Sequence, residues 1–298
     1  MDVNAMSRSA EFANTAGAAR QERRHKTSTL RIITYRINAY FETGIGRAVP
    51  ARRVNRPLPN WALWTCVLLL AGCGRSEPVA ASKPTPASTI SIKSSDEIEI
   101  KATWIPPKKG PVFLVMHGLG AGRGEWQKFS GAAASHGAGV LAFDARGHGE
   151  SGGGRYQDFK TAKAWAAILQ DFDAAFVWLA AKGVSENRII LGGASVGANL
   201  AVHAALKHPR IRSLLLLSPG KVYAGISLEP ALHHVSRPIF IATARADQYS
   251  YASAGAAVVM AGDPKPVFME TLQGHGVGMF DGEEGFAFLL TVLAAVLE

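Results

Sequence analysis

Cysteine is almost absent from this 298-residue chain: there are two, Cys66 and Cys73. That excludes a disulfide-stapled scaffold and any zinc site built from cysteines. Acidic residues are also scarce, 23 against 32 Lys and Arg, and the resulting formal charge of +9 invites a nucleic-acid partner. Position removes that reading. Residues 1–72 hold 11 Lys and Arg against 4 Asp and Glu, whereas residues 73–298 hold 21 against 19, so the basicity belongs to the front end and no nucleic-acid partner is expected. No internal repeat is evident. The whole chain is 48% hydrophobic with a mean hydropathy of +0.08, and the part beyond the front end, about 210 residues, suits one domain with a substantial core.

The front end reads as an address. Residues 1–50 show weak periodicity and scattered arginines, as an extension or tail would. Arg52, Arg53 and Arg56 then precede an apolar run at residues 61–72. The run is too short for the roughly 20 residues of a membrane-spanning helix, but it has the shape of a signal-peptide core behind a positive segment. It ends in Leu70-Ala71-Gly72-Cys73, which resembles the bacterial lipoprotein signal, in which the cysteine carries the lipid and begins the mature chain. The expected organisation is an extension over 1–50, a signal over 51–72, a lipid-anchored Pro/Ala/Ser-rich tether over 73–88 and a domain over 89–298. Gly74, where inner-membrane lipoproteins commonly carry Asp, favours the outer membrane with the domain facing the periplasm. A signal peptide starts close to its charges, so translation is expected to begin further in, at a position such as Val54.

From residue 89 onward, strand-like and helix-like stretches alternate. Residues 89–93 and 97–105 show period-2 alternation, as half-exposed strands do. Short apolar runs at 111–116, 139–143, 188–191, 211–217 and 238–243 fit parallel strands buried on both faces, with a further strand at 266–271. Helical patterns lie at 124–136, 161–182, 196–207, 252–261 and 285–297. This order predicts an α/β fold with a mainly parallel sheet, helices on both faces, and any site at the carboxyl ends of the strands.

Gly193-Ala194-Ser195-Val196-Gly197 matches the nucleophile elbow G-x-S-x-G, and it sits between a strand and a helix as the elbow requires. A serine hydroxyl is a poor nucleophile unless a positioned base takes its proton. The chain order Ser, acid, His points downstream to Asp247 and His275, each just after a predicted strand. Asp263 and Asp281 are the competing acids nearby in sequence. The oxyanion of a tetrahedral intermediate needs backbone donors: one is expected from Val196, the other from the loop His117-Gly118-Leu119-Gly120, with Leu119 the first choice and Gly118 the second.

Together these residues resemble the α/β-hydrolase superfamily over about residues 90–297. Within it the chain is most similar to small bacterial esterases of the dienelactone-hydrolase and serine-aminopeptidase-like branches. Residues 143–152, Ser218-Pro219-Gly220-Lys221-Val222-Tyr223 and Gly274-His275-Gly276 carry the likeness. The resemblance implies about eight strands and acyl transfer to water by a Ser195, Asp247, His275 triad with no metal or organic cofactor. Only residues 218–237 separate the sixth and seventh strands, where lipases of this fold insert a cap, so no large cap is expected. An open site favours small or surface-presented esters. Thioesterase, acyltransferase and aminopeptidase-like chemistry use the same triad and remain alternatives, as does a membrane-tethered binding protein that lost its chemistry. The run 147–152 also fits G-x-G-x-x-G, but Gly153, Gly154 and a loop follow where a helix should open, which argues against a dinucleotide.

Overall fold

In the computed structural model, residues 86–229 and 231–298 are described. Cys73, the signal-like segment, the extension and the tether up to residue 85 lie outside them. The chain enters through β1 (Ser88–Lys93) and β2 (Glu99–Ile105), paired antiparallel from Ser88 opposite Trp104 to Lys93 opposite Glu99. Both alternate between exposed and covered side chains because only one face meets the core.

The remaining strands of the main sheet are β3 (Val112–Met116), β4 (Gly139–Phe143), β5 (Ile189–Ala194), β6 (Ser213–Leu217), β9 (Ile239–Ala244) and β10 (Val267–Thr271). The strand order is β1-β2-β4-β3-β5-β6-β9-β10, and every pair from β4 to β10 is parallel. A separate two-stranded ribbon, β7 (Val222–Tyr223) and β8 (Ile226–Ser227), hangs between β6 and β9. β3, β4, β5 and β6 are buried along their whole length, which is why their sequences are continuous apolar runs.

Helices cover both faces. On one side lie α2 (Ala162–Ala166), α3 (Leu169–Ala181), α4 (Val196–Lys207) and α5 (Gln248–Met260), which share one core cluster with Val112, Leu114 and Met116 of β3. On the other lie α1 (Gln127–Ser135) and α6 (Gly282–Leu297), which share a second core cluster with Phe113 and Val115 of the same strand. Each large side chain removed from water in this way, such as Phe172 or Leu191, contributes about 1.5–3 kcal/mol.

The single helix expected over 161–182 is two. At the joint, the N–H groups of Ile168, Gln170 and Asp171 donate to carbonyls three residues back. That tighter winding brings positions three apart onto one face, so Trp165 and Ile168 both reach the core.

The turn after β4 is held by its own charges. The Arg146 guanidinium and backbone N–H donate to Asp171, at 2.7–2.9 Å, and Arg146 also bridges to Asp96. Burial pushes the Asp171 carboxyl up to about 6 against the pull of Arg146. Beside it, Asp144 accepts from the N–H groups of Arg123 and Glu150 and pairs with the Arg123 guanidinium. A side chain at Gly149 would collide with that carboxylate. The glycines of 147–152 therefore close around an internal carboxylate, and no helix opens there to receive a pyrophosphate.

Candidate active site

β5 and α4 are joined by a single residue, Ser195, with φ 54° and ψ −119°. Positive φ at a non-glycine residue stores about 1–3 kcal/mol and is tolerated because the surroundings overdetermine it. The Ser195 N–H donates to Leu217 O on β6, and its carbonyl accepts from Ala198 and Asn199. Two flanking glycines make the sharp turn possible. A Cβ at Gly193 would lie 2.3 Å from the Gly197 backbone, and one at Gly197 would lie 2.5 Å from His117 O. No side chain fits at either place, so the elbow motif here is a statement about backbone approach.

Asp247 follows β9 and caps α5, its Oδ1 accepting from Ser250 N–H at 3.3 Å. His275 follows β10, and its Nδ1 lies 2.5 Å from Asp247 Oδ2. Burial pushes the Asp247 carboxyl upward, but hydrogen bonds from His275 and Ser250 outweigh it and hold the group below its usual range. It is therefore ionised at neutral pH, accepts from Nδ1–H, and leaves the other ring nitrogen, Nε2, unprotonated in the neutral imidazole. The histidine loop is tied to the nucleophile's end of the sheet: Gly276 N–H donates to Ser218 Oγ at 2.9 Å, and a Cβ on Gly276 would meet Ala194 Cβ at 3.2 Å. Asp263 and Asp281, the other acids considered, are not placed this way. Asp281 pairs with Lys128 on the surface, and Asp263 is exposed beyond α5.

Among the described residues no hydrogen bond joins Ser195 Oγ to the imidazole. Such contacts are commonly long before substrate binds. The structure thus places Ser195, Asp247 and His275 just after β5, β9 and β10 at the carboxyl end of the sheet, and it joins the acid to the base directly.

The loop after β3 is organised by a residue the sequence did not flag. Glu125 Oε1 accepts the Gly118 N–H at 3.0 Å. Buried His117 keeps the same loop in register: its Nε2 accepts from Ala145 N–H, so its proton sits on Nδ1 and is given to Gly118 O. Burial lowers the His117 pKa to about 4, so this imidazole stays neutral. Of the two expected donors on this loop, Gly118 is occupied. Among the described residues neither the Leu119 nor the Val196 N–H has a partner.

Burial pushes the Glu125 carboxyl up to about 7, against the Gly118 N–H and the charge of His275. A carboxyl raised above its unfolded value of 4.5 favours the fold below that value, and the benefit is lost as pH rises through about 7. Glu125→Gln keeps the acceptor for Gly118 and removes the charge. Because solvent reaches part of the side chain, the cost of ionisation is about 1 kcal/mol. The variant's melting temperature should therefore gain about 2–4 °C on the native protein between pH 5 and pH 8.5. A constant or shrinking difference in paired thermal melts would contradict the assignment.

Tyr223, on the β7–β8 ribbon, is the second residue missed. Its ring meets His275 edge-on, with centroids 6.3 Å apart at 88°, and its hydroxyl lies 2.8 Å from Ser250 Oγ. The ribbon is pinned by Asn199 of α4, which donates to the carbonyls of Gly220 and Ile226. Among the described residues no group of His, Cys, Asp and Glu side chains could hold a metal ion.

Comparison with known proteins agrees with this architecture. Residues 107–227 match the serine aminopeptidase family, S33, a span that includes Ser195 and stops short of Asp247 and His275. No curated protein sequence matches the chain. Among solved structures, a dienelactone hydrolase from Anabaena variabilis superposes with a TM-score of 0.58 at 17% identity, over 72% of this chain and 96% of its own. An esterase from Pyrococcus furiosus gives 0.57 at 19%, over 72% and 94%. An esterase from Exiguobacterium antarcticum gives 0.57 at 13%, over 71% and 100%. At these identities the likeness is one of fold.

Proposed function

We propose that this chain, which has the α/β-hydrolase fold, is a serine hydrolase that cleaves carboxylic esters through an acyl-enzyme. The observation that carries the reading is Ser195, held at positive φ at the end of β5, together with a His275 at the same end of the sheet whose tautomer is fixed by ionised Asp247.

His275 Nε2 takes the Ser195 proton as Oγ bonds to the ester carbonyl carbon. The carbonyl oxygen becomes an oxyanion, and the Leu119 and Val196 N–H groups donate to it. Collapse breaks the bond to the alcohol, whose oxygen takes the proton from His275. Water then gives a proton to His275 and attacks the acyl carbon. The acid leaves, and Ser195 recovers its proton. Asp247 remains ionised throughout and stabilises the imidazolium. No step calls for a metal or an organic cofactor.

The segment between β6 and β9 supports an open site, since its described residues form only the β7–β8 ribbon and a short helical turn at Ala231–His234. Small or surface-presented esters suit such an entrance. The lipoprotein-like sequence ending at Cys73 adds a location to this reading, a lipid-anchored enzyme of the cell envelope, on the outer membrane and facing the periplasm. The likenesses to esterases favour esters, and the aminopeptidase family match motivates one further substrate class. The test is a panel of p-nitrophenyl acetate and butyrate, thioesters and aminoacyl amides given to the purified protein. Turnover of the short-chain esters, with kcat/KM at least tenfold above the other classes, is expected. Turnover confined to amides or thioesters would replace the ester assignment, and none on any class would remove the enzyme.

A further inference from the structure

Ser195 is not the only strained serine at the carboxyl end of the sheet. Ser218 is the first residue after β6, as Ser195 is the first after β5, and it too is held at positive φ, 48°. It is fully buried, which keeps it from a substrate. Strain at a buried polar residue points to a role for its hydroxyl, since glycine would hold the same backbone without cost. Resting on the serine-hydrolase reading, we propose that Ser218 is a positioning residue: its hydroxyl fixes the backbone of the His275 loop and so sets the base at the distance from Ser195 that proton transfer needs.

The histidine loop needs such a tie. His275 stands between two glycines at positive φ, Gly274 at 101° and Gly276 at 55°. Asp247 holds one corner of the ring, Nδ1, and a single bond there leaves the imidazole able to pivot and carry Nε2 toward or away from Ser195. Among the described residues, one hydrogen bond joins the backbone of 273–278 to another element: Gly276 N–H donates to Ser218 Oγ at 2.9 Å. It acts on the residue next to the base. The bond from Gly278 N–H to His275 O, at 3.0 Å, is internal to the loop.

The direction of that bond is fixed by chemistry. A backbone N–H can only donate, so Ser218 Oγ accepts, and its own proton turns toward Met279 Sδ at 3.8 Å. Among the described residues the hydroxyl has no other partner. The serine is anchored on both sides: its N–H donates to Ala242 O on β9 at 2.8 Å, and Asn199 of α4 bonds both the N–H and the carbonyl of Gly220. The Ser195 N–H, in turn, donates to Leu217 O. Nucleophile and base are therefore both tied to the end of β6, through the consecutive residues Leu217 and Ser218.

Ser218→Gly removes the hydroxyl and relieves the strain, whereas Ser218→Ala removes it and keeps the strain. Both should lower kcat for p-nitrophenyl butyrate by about 10- to 100-fold, the cost of a misplaced base, with KM within twofold. The glycine variant should melt about 2–4 °C above the alanine one, yet their kcat values should agree. A role in stability alone would make activity follow melting temperature instead, and that result would overturn the proposal. The second-order rate of Ser195 modification by a fluorophosphonate should fall in parallel with kcat. In a His275→Ala background, Ser218→Gly should change the residual labelling rate by less than twofold, because no base remains to be positioned. A further loss there would place the effect on Ser195 or the oxyanion donors and sink the assignment. If the native protein is labelled at Ser195 and Ser218→Gly turns over within twofold of it, the proposal fails while the hydrolase reading stands. If the native protein is not labelled at Ser195, the parent reading fails and this one with it.

Discussion

Ser195→Ala is expected to lower kcat/KM for p-nitrophenyl butyrate by about 10⁴-fold or more, with the fold intact. The size follows from the mechanism: without Oγ there is no acyl-enzyme, and what remains is binding and the oxyanion donors, which together retain only a small residual acceleration over water. The fold should survive for a structural reason. Ser195 makes no side-chain cap to α4, and its strained backbone is imposed by the Leu217 hydrogen bond and by the contacts of Gly193 and Gly197. Alanine meets the same backbone demand as serine. Progress curves at high protein concentration, beside a thermal melt matching the native one, check this. A variant retaining more than about one part in a hundred of the activity would mean that another group attacks the ester.

Asp247→Asn should cost nearly as much, about 10⁴-fold in kcat. The substitution keeps shape and keeps the cap on α5, since an asparagine oxygen can still accept from Ser250 N–H. What changes is the partner of His275 Nδ1. The carboxylate can only accept, so it fixes the proton on Nδ1. An amide that turns its NH₂ toward the ring moves that proton to Nε2, where the base must be bare. The imidazolium also loses the negative charge that stabilises it. Asp263→Asn and Asp281→Asn are the matched controls and should stay within twofold, because the first is exposed beyond α5 and the second faces Lys128. A large loss in either control with little in Asp247→Asn would reassign the triad acid.

Much of the sheet was legible because burial on both faces writes itself as apolar runs. The run 139–143 coincides with β4, and 111–116 is one residue longer than β3. The elbow was legible because two glycines are forced there by contacts under 3 Å. Asp247 and His275 could be proposed from chain order and strand ends, though their mutual approach is a fact of the folded chain.

The residues that escaped share a cause. Tyr223 lies on strands of two residues each, too short for periodicity, and its partner Ser250 is 27 positions away on another element. Glu125 looks like any exposed acid in a polar loop until its carboxylate is seen to take the Gly118 N–H. That one bond also occupies the Gly118 N–H, the second choice for the oxyanion donor. The break near Ala167 was hidden for a different reason: a 3₁₀ joint keeps the apolar spacing of a continuous helix while shifting its phase.

The central claim is that Ser195 is the group that becomes acylated. Its most direct test is stoichiometric labelling with a fluorophosphonate, read by intact mass and by mapping the modified peptide. One adduct per chain on the peptide containing Ser195 is predicted, absent from Ser195→Ala and much slower in His275→Ala. An adduct on any other residue, or none on the active protein, would contradict it.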